Sequence, residues 1–199
     1  MKLTVKHQEN YSRIELLIRT LFGFFYIMIP HGFLLFFVSI WGAILSFVAF
    51  WIVLFTAKYP QSMFEFQVGL LKWKLRVNAR TMNLSDGYPA FGINASDEYT
   101  NIEVQNPEKI SRGLVLLRVF FGVLFVYIPH GFLLLFRGIF ILFLAFLSWW
   151  IILFTGRFPV SFHNWITGQF RWSNRVSLYM GFMTDKYPPF TGDVQPDEL

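Results

Sequence analysis

Two histidines are the residues of this chain with the clearest potential for chemistry. His31 and His130 occur in the same heptapeptide, Ile-Pro-His-Gly-Phe-Leu-Leu, inside otherwise apolar segments. Ionisable side chains in such segments commonly serve a metal, a haem, a quinone or a proton pathway. Alternatively, each neutral imidazole bonds backbone groups that the preceding proline leaves free. We favour this alternative and predict no cofactor, because the chain has no cysteine and no histidine pair at helical spacing.

A second group of candidates consists of basic and aromatic residues at steps of three or four. The basic members, which are suited to anionic lipid headgroups or simply to a solvated helix face, are Lys72, Arg76, Arg80, Arg171 and Arg175. Trp73 and Trp172 lie beside them and are predicted to be interface anchors. His163 has no repeat counterpart and is expected at the same interface without a role in binding.

Motifs for catalysis are missing from the sequence. It contains no nucleophile elbow, no phosphate-binding glycine loop and no paired carboxylates. The isoelectric point of about 9.6 is compatible with nucleic-acid binding, but a membrane topology explains the excess of basic residues. We therefore predict a protein that is not an enzyme and binds no nucleic acid.

The elements that position these residues are duplicated. Residues 12–91 and 111–190 align at a constant offset of 99 without insertion or deletion. Residues 92–110 form a polar linker between the two repeats, and residues 191–199 form a short acidic tail. The duplication defines the structural unit and identifies residues with a shared role.

Composition indicates a membrane protein. The chain is 55% hydrophobic and only 15% charged, which is less charge than soluble domains carry. Residues 20–57 have no formal charge, and residues 119–156 have only Arg137. Each stretch is too long for one membrane crossing and suits two crossings of about 20 residues.

The place where each predicted hairpin turns has two solutions. Pro30-His31-Gly32 is one candidate turn, since proline lacks a donor and glycine permits unusual backbone angles. In the other, the proline kinks the first helix and the chain turns at Val38-Ser39 and at Arg137-Gly138. We favour the second, because it places Arg137 at a water interface.

Each hairpin is followed by a predicted amphipathic helix. Apolar residues recur at helical spacing over 62–84 and 161–184, with basic residues on another face, as in helices that lie in the membrane interface. The predicted fold is therefore all-α and integral to the membrane. Four transmembrane helices form two parallel repeated hairpins, and each hairpin precedes a cytoplasmic interfacial helix.

Orientation follows from the basic residues. With two crossings per repeat, every Lys and Arg except Arg137 lies on the side of both termini. The positive-inside tendency makes this side cytoplasmic. We expect a multi-pass protein of the bacterial cytoplasmic membrane, with repeats related by an axis along the membrane normal.

The repeats resemble a bacterial membrane family named domain of unknown function 4389. The resemblance covers about 160 residues. In the second repeat it rests on Trp150, Leu153-Phe154-Thr155-Gly156-Arg157-Phe158-Pro159, Arg171-Trp172, Arg175-Val176 and Tyr187-Pro188-Pro189-Phe190. The first repeat departs from the pattern at Ala57, Lys72 and Ala90. The resemblance implies a membrane location and no particular activity.

These observations predict a non-enzymatic scaffold or accessory subunit of a larger membrane complex. Its partners are the lipid bilayer and other membrane subunits. One alternative is a protein that binds or transports anionic lipids in the cleft between the repeats. A weaker alternative is an electron-transfer subunit with His31 and His130 as axial ligands.

Overall fold

The structure, a computed structural model, describes residues 1–198, so the last residue of the predicted tail lies outside it. Most of the chain is helical. The elements are β1 Lys2–Val5, α1 Arg13–Gly23, α2 Ile29–Thr56, α3 Gln61–Thr81, β2 Thr100–Glu103, α4 Arg112–Gly122, α5 Ile128–Thr155, α6 Val160–Met180 and a 3-10 turn Pro196–Glu198. Two π-helical segments, Phe24–Met28 and Val123–Tyr127, join α1 to α2 and α4 to α5. They create two continuous helices of 44 residues, here called the long helices, Arg13–Thr56 and Arg112–Thr155.

The turns predicted inside the apolar segments are absent. Helix α2 runs without interruption through 38–39, and α5 does so through 137–138. The described chain therefore has two long helices and two shorter ones, in place of the four predicted crossings. Pro30 does not break the helix because it is the second residue of α2 and follows the π segment. Both long helices are long and apolar enough to cross a membrane, judged by length and composition.

The chain reverses direction after each long helix. Ala57 and Gly156 adopt left-handed backbone angles, with φ of 60° and 71°, which end α2 and α5. Helix α3 then returns along α2, and Gln67 Nε2 donates to the Gly42 carbonyl over 2.6 Å. The second repeat has the same arrangement, since Gln169 on α6 donates to a carbonyl of α5. Each repeat is thus a hairpin of one long helix and one shorter helix.

The π segments keep one side of each long helix directed at the protein. Gly23, Ile27 and His31 are buried and four residues apart, a longer step than the 3.6 residues of an α-helical turn. The wider π turn accommodates the extra residue. Positions on both sides of the π segment are buried, for example Leu16 before it and Ala49 after it.

The two repeats dock reciprocally through the ends of their long helices. Tyr11 N donates to the Gly156 carbonyl, and Ile110 N donates to the Ala57 carbonyl, both over 2.8 Å. The start of each long helix therefore lies beside the end of the other. This antiparallel contact replaces the parallel arrangement of hairpins expected from the sequence.

The predicted linker 92–110 is an ordered part of the structure. Its strand β2 pairs antiparallel with β1, with Leu3 opposite Ile102. A buried apolar cluster joins these strands to both repeats and includes Leu16, Leu75, Ile102, Ile152 and Ile166. The apolar residues on the outer side of the long helices stay exposed, for example Phe36 at 61% and Phe154 at 72%.

Candidate functional site

His31 lies in an aromatic cage built from three elements of the first repeat. Its ring is fully buried and stacks on Phe91, with centroids 4.0 Å apart and planes 5° apart. Trp73 on α3 donates its indole N–H to His31 Nδ1 over 2.9 Å. Tyr88 lies against the same ring, with centroids 5.3 Å apart. The cage thus joins the long helix, α3 and the Tyr-Pro-x-Phe segment.

His130 has the same cage in the second repeat. Trp172 Nε1 donates to His130 Nδ1 over 2.8 Å, and Phe190 stacks on the imidazole with centroids 4.1 Å apart. Here Nε2 also has a partner, because the Tyr187 hydroxyl lies 3.1 Å away. The corresponding His31 Nε2 makes no hydrogen bond of normal geometry with the described residues, and its polar neighbour is the Pro89 carbonyl.

The tryptophan bonds determine the state of both imidazoles. A nitrogen that accepts from an indole N–H carries no proton, so Nδ1 is bare and the neutral ring holds its proton on Nε2. In the second repeat that proton points to the oxygen of Tyr187. The cages therefore hold both rings neutral.

The backbone group freed by the proline bonds to a tyrosine and not to the histidine. In an α-helix the Tyr26 carbonyl would accept from residue 30, which is Pro30 and has no N–H. Tyr88 donates its hydroxyl to this carbonyl over 2.8 Å. Tyr187 donates equivalently to the Phe125 carbonyl over 2.7 Å. The histidine therefore does not bond the freed carbonyl itself. It supports the cage around that carbonyl by stacking on the phenylalanine and by accepting from the tryptophan.

The cages are poorly suited to a metal or a haem. Both nitrogens of His130 already have protein partners, and each imidazole lies within its own repeat. Among residues 1–198 no three side chains of His, Cys, Asp or Glu come together as a group that could hold a metal ion. The geometry supports a structural role for the two histidines.

Trp73 and Trp172 are interior residues. Their exposed fractions are 3% and 4%, and both indole N–H groups point into the protein. The structure therefore places them away from the exposed surface on which anchors were expected. Other tryptophans do reach that surface, among them Trp41 and Trp51.

The four predicted headgroup-binding arginines all bind the protein itself. Arg76 is 1% exposed and donates to the carbonyls of Ala90, Gly92 and Ala95. Arg175, its repeat counterpart, forms an ion pair with Glu198 over 2.5 Å. These guanidinium groups hold the segments that follow each Tyr-Pro-x-Phe sequence.

Arg80 is also engaged, since it forms a two-pronged ion pair with Asp97 at 2.9 and 2.6 Å. Burial raises the pKa of Asp97, but the hydrogen bonds from Arg80 and Thr100 outweigh it and hold that pKa below its usual value. Arg171 donates to the Gly192 carbonyl over 2.5 Å. Only Lys72 makes no hydrogen bond or ion pair with residues that the structure describes, and it lines a cavity between the repeats.

A polar cluster that the sequence interpretation overlooked lies at the start of each long helix. Arg118 is buried, donates to the Tyr179 carbonyl over 3.0 Å and pairs with Asp185 over 2.6 Å. Asp185 also accepts from Ser111 N, the residue that caps α4. Each cluster ties the end of a shorter helix to the start of its long helix.

The first repeat has the same cluster at Ser12, Arg19 and Asp86, with Arg19 donating to the Arg80 carbonyl. All three residues are identical at the 99-residue offset. That identity among charged residues was the signal available in the sequence.

His163 is buried and not at an exposed interface. Its exposed fraction is 2%, and neither ring nitrogen has a hydrogen bond of normal geometry in the described residues. Burial, reinforced by the nearby His7, lowers the pKa of His163 to about 4. The ring is therefore neutral at physiological pH.

Two of the cavities that the structure forms lie beside α3. A cavity of about 660 Å³ lies between the repeats and is lined by Val68 and Lys72 from one and by Leu178 and Tyr187 from the other. Most polar groups of the cages and arginine clusters bond to the chain's own atoms. Their arrangement is suited to holding helices together.

Fold and site together define a class: a duplicated helical protein with two long apolar helices, closed by paired histidine cages and buried arginines. The chain belongs to the family described as domain of unknown function (DUF4389), whose model matches residues 13–92 and 115–192. The match confirms the resemblance and the two tandem copies. No curated protein and no solved structure matches the chain significantly.

Proposed function

We propose that this chain is a non-enzymatic integral membrane protein that serves as a scaffold or accessory subunit of a larger membrane complex. The main support for this proposal is the exposed apolar side of the long helices. Large side chains such as Ile14, Phe55 and Phe120 are about 70% exposed, at 71%, 70% and 72%. Contiguous apolar surface of this extent needs lipid or another protein to cover it.

The interior supports a structural role. The buried arginines Arg76, Arg118 and Arg175 each donate to main-chain carbonyls, so their charges serve to close the fold. In the second cage both nitrogens of His130 already bond to protein groups, so neither is available to a substrate. We infer that the repeats present surfaces and do not transform a substrate.

The location we propose is the bacterial cytoplasmic membrane, with both termini on the cytoplasmic side. The net charge of +5 supports contact with the anionic lipids of that leaflet. Both termini belong to the polar part of the molecule. Strand β1 pairs with the linker strand, and Glu198 pairs with Arg175.

Purification from gently solubilised native membranes tests the scaffold role. A tagged chain at its natural abundance should carry partner subunits in fixed stoichiometry. Excess untagged chain added after solubilisation should not displace them if the complex formed in the membrane. Recovery of a lone monodisperse particle would contradict the proposal.

A second candidate function, binding or transport of anionic lipids, is favoured by the cavity between the repeats. Lys72 lies in its lining together with apolar residues of both repeats, a combination that fits a headgroup and the start of an acyl chain. The buried arginines are less suitable because the chain already occupies them.

Native mass spectrometry of the protein with phosphatidylglycerol tests this candidate. Lys72→Gln should reduce the bound lipid severalfold, while Lys74→Gln, two residues away and outside the cavity lining, should not. Equal lipid binding by both variants and by the wild type would reject it.

A further inference from the structure

The exposed apolar surface forms a continuous strip along each long helix. In the first, Ile14, Phe25, Phe36 and Phe47 follow one another at steps of eleven residues and are 71%, 65%, 61% and 64% exposed. Eleven residues are about three helical turns, so these side chains lie on one side. The second long helix also carries exposed phenylalanines at steps of eleven residues, namely Phe121, Phe132, Phe143 and Phe154.

Polar structure runs along the opposite side of the same helices. His31 lies near the middle of the first long helix and bonds Trp73 of α3. Three residues further along α3, Arg76 bonds the Ala95 carbonyl of the linker. Neighbouring linker residues Asn94, Ser96 and Glu98 are exposed. Exposed irregular backbone and a carboxylate therefore lie beside the middle of an apolar helix.

This juxtaposition is incompatible with a long helix that crosses the bilayer. Its middle would then lie at the centre of the hydrocarbon region, where lipid-exposed irregular backbone does not occur. Arg137, near the middle of the second long helix, would lie at the same depth. A 44-residue helix is also about 66 Å long, whereas the hydrocarbon core is about 30 Å thick.

The charges at the helix ends support the same conclusion. Because the long helices are antiparallel at their ends, one crossing each would place Arg13 and Arg157 on one side and Lys58 and Arg112 on the other. The excess of positive charge expected on the cytoplasmic side would vanish. All four side chains are exposed and suited to anionic headgroups along one surface.

We propose that the protein is seated in a single leaflet of an anionic bilayer, with both long helices parallel to the membrane plane. The apolar strips lie among the acyl chains of that leaflet, and α3, α6, the linker and the two strands lie on the aqueous side. The seating rests on the membrane location proposed above. In this seating lipid covers the apolar strips, so a partner subunit would bind the polar side of the protein.

Depth-dependent fluorescence quenching tests the seating, and the absence of native cysteine makes single labels unambiguous. Ile14→Cys, Phe25→Cys, Phe36→Cys and Phe47→Cys are labelled with a small fluorophore in the full chain. The proteins are reconstituted in vesicles of phosphatidylethanolamine and phosphatidylglycerol. Lipids brominated at successive acyl positions then report the depth of each label. Ser96→Cys on the linker is the control for the aqueous side.

Seating in one leaflet predicts the same shallow depth, within about 5 Å, for all four labels and no quenching of the Ser96 label. A crossing helix predicts depths that change by more than about 10 Å at each eleven-residue step, and this result would overturn the seating. Vesicle flotation separates the two proposals: protein that does not float with the vesicles overturns the membrane location as well.

Discussion

Trp73 donates its indole N–H to Nδ1 of His31 over 2.9 Å, and this single bond determines which imidazole nitrogen carries the proton. The same bond joins the middle of a long helix to α3. Stacking on Phe91 then brings in the Tyr-Pro-x-Phe segment. His31 thereby links three elements of the first repeat. His130 makes the equivalent bond in the second repeat.

The tyrosines of the two cages should differ in their contribution to stability. Tyr187 bonds both the Phe125 carbonyl and His130 Nε2, whereas Tyr88 bonds only the Tyr26 carbonyl. Tyr88→Phe should lower the free energy of unfolding by about 1–2 kcal/mol and Tyr187→Phe by about 2–3 kcal/mol, because each leaves polar groups unpaired. Denaturation in mixed detergent micelles measures both values.

Tyr127→Phe is the matched control, since this tyrosine is 52% exposed and its hydroxyl has no partner among the described residues. It should leave the free energy of unfolding unchanged. If the two cage variants behave like this control, the tyrosine bonds do not support the fold.

Restoring a backbone donor should rescue the first cage. In Pro30→Ala, residue 30 regains an N–H that the Tyr26 carbonyl can accept. Tyr88→Phe should then cost less in the Pro30→Ala background than in the wild type, by about 1 kcal/mol in a double-mutant cycle. In the second repeat, Pro129→Ala should rescue Tyr187→Phe only in part, because His130 Nε2 still loses its partner. Strict additivity in both cycles would contradict this account of the proline.

The sequence predicted the repeats and the shorter helices well. The two tandem copies are confirmed by the family match over 13–92 and 115–192. Helices predicted at 62–84 and 161–184 appear as Gln61–Thr81 and Val160–Met180. Periodicity and the proline before each helix are local signals, and they suffice for local structure.

The prediction of a turn inside each apolar segment was wrong. The length of an apolar segment alone does not distinguish two crossings from one continuous helix. A residue that stops a helix was required near 38–39, and Val38-Ser39 is not such a sequence. The proline that is present lies at the start of α2, where it is compatible with the helix.

The basic stripe shows a different limit. Helical spacing correctly placed Arg76 and Arg80 on one face of α3, but spacing does not reveal what covers a face. The linker folds back on that face and supplies Ala95 and Asp97 as partners. Contacts between residues that are 19 and 17 positions apart are set by tertiary packing and lie beyond any local pattern.

Arg76→Lys should separate a structural arginine from a headgroup ligand. A lysine keeps the charge but cannot donate in the three directions that the carbonyls of Ala90, Gly92 and Ala95 require. We expect a loss of about 2–3 kcal/mol in the free energy of unfolding and faster proteolysis of the linker. Limited proteolysis followed by mass spectrometry locates the cleavage.

Lys72→Arg is the reciprocal control, one helical turn away and without a partner in the described chain, and it should leave both readings unchanged. Unaltered stability in Arg76→Lys would instead return Arg76 to the headgroup-binding prediction.

His163 should make the protein less stable as the pH falls. Its pKa of about 4 in the folded state lies below the value of 6.5 for an unperturbed histidine, so the unfolded state takes up a proton first. The stability that depends on the neutral ring of His163 is therefore fully present above pH 6.5 and is lost as the pH falls from 6.5 to 4. At pH 5 the loss in the free energy of unfolding is about 2 kcal/mol.

His163→Leu should remove this part of the pH dependence and keep stability at pH 8, because neither ring nitrogen has a well-formed hydrogen bond to lose. Phe162→Leu, its uncharged neighbour, should give a profile parallel to the wild type. Free energies of unfolding measured from pH 8 to pH 5 for the three proteins decide the matter, and a parallel profile for His163→Leu would show that His163 is not the titrating group.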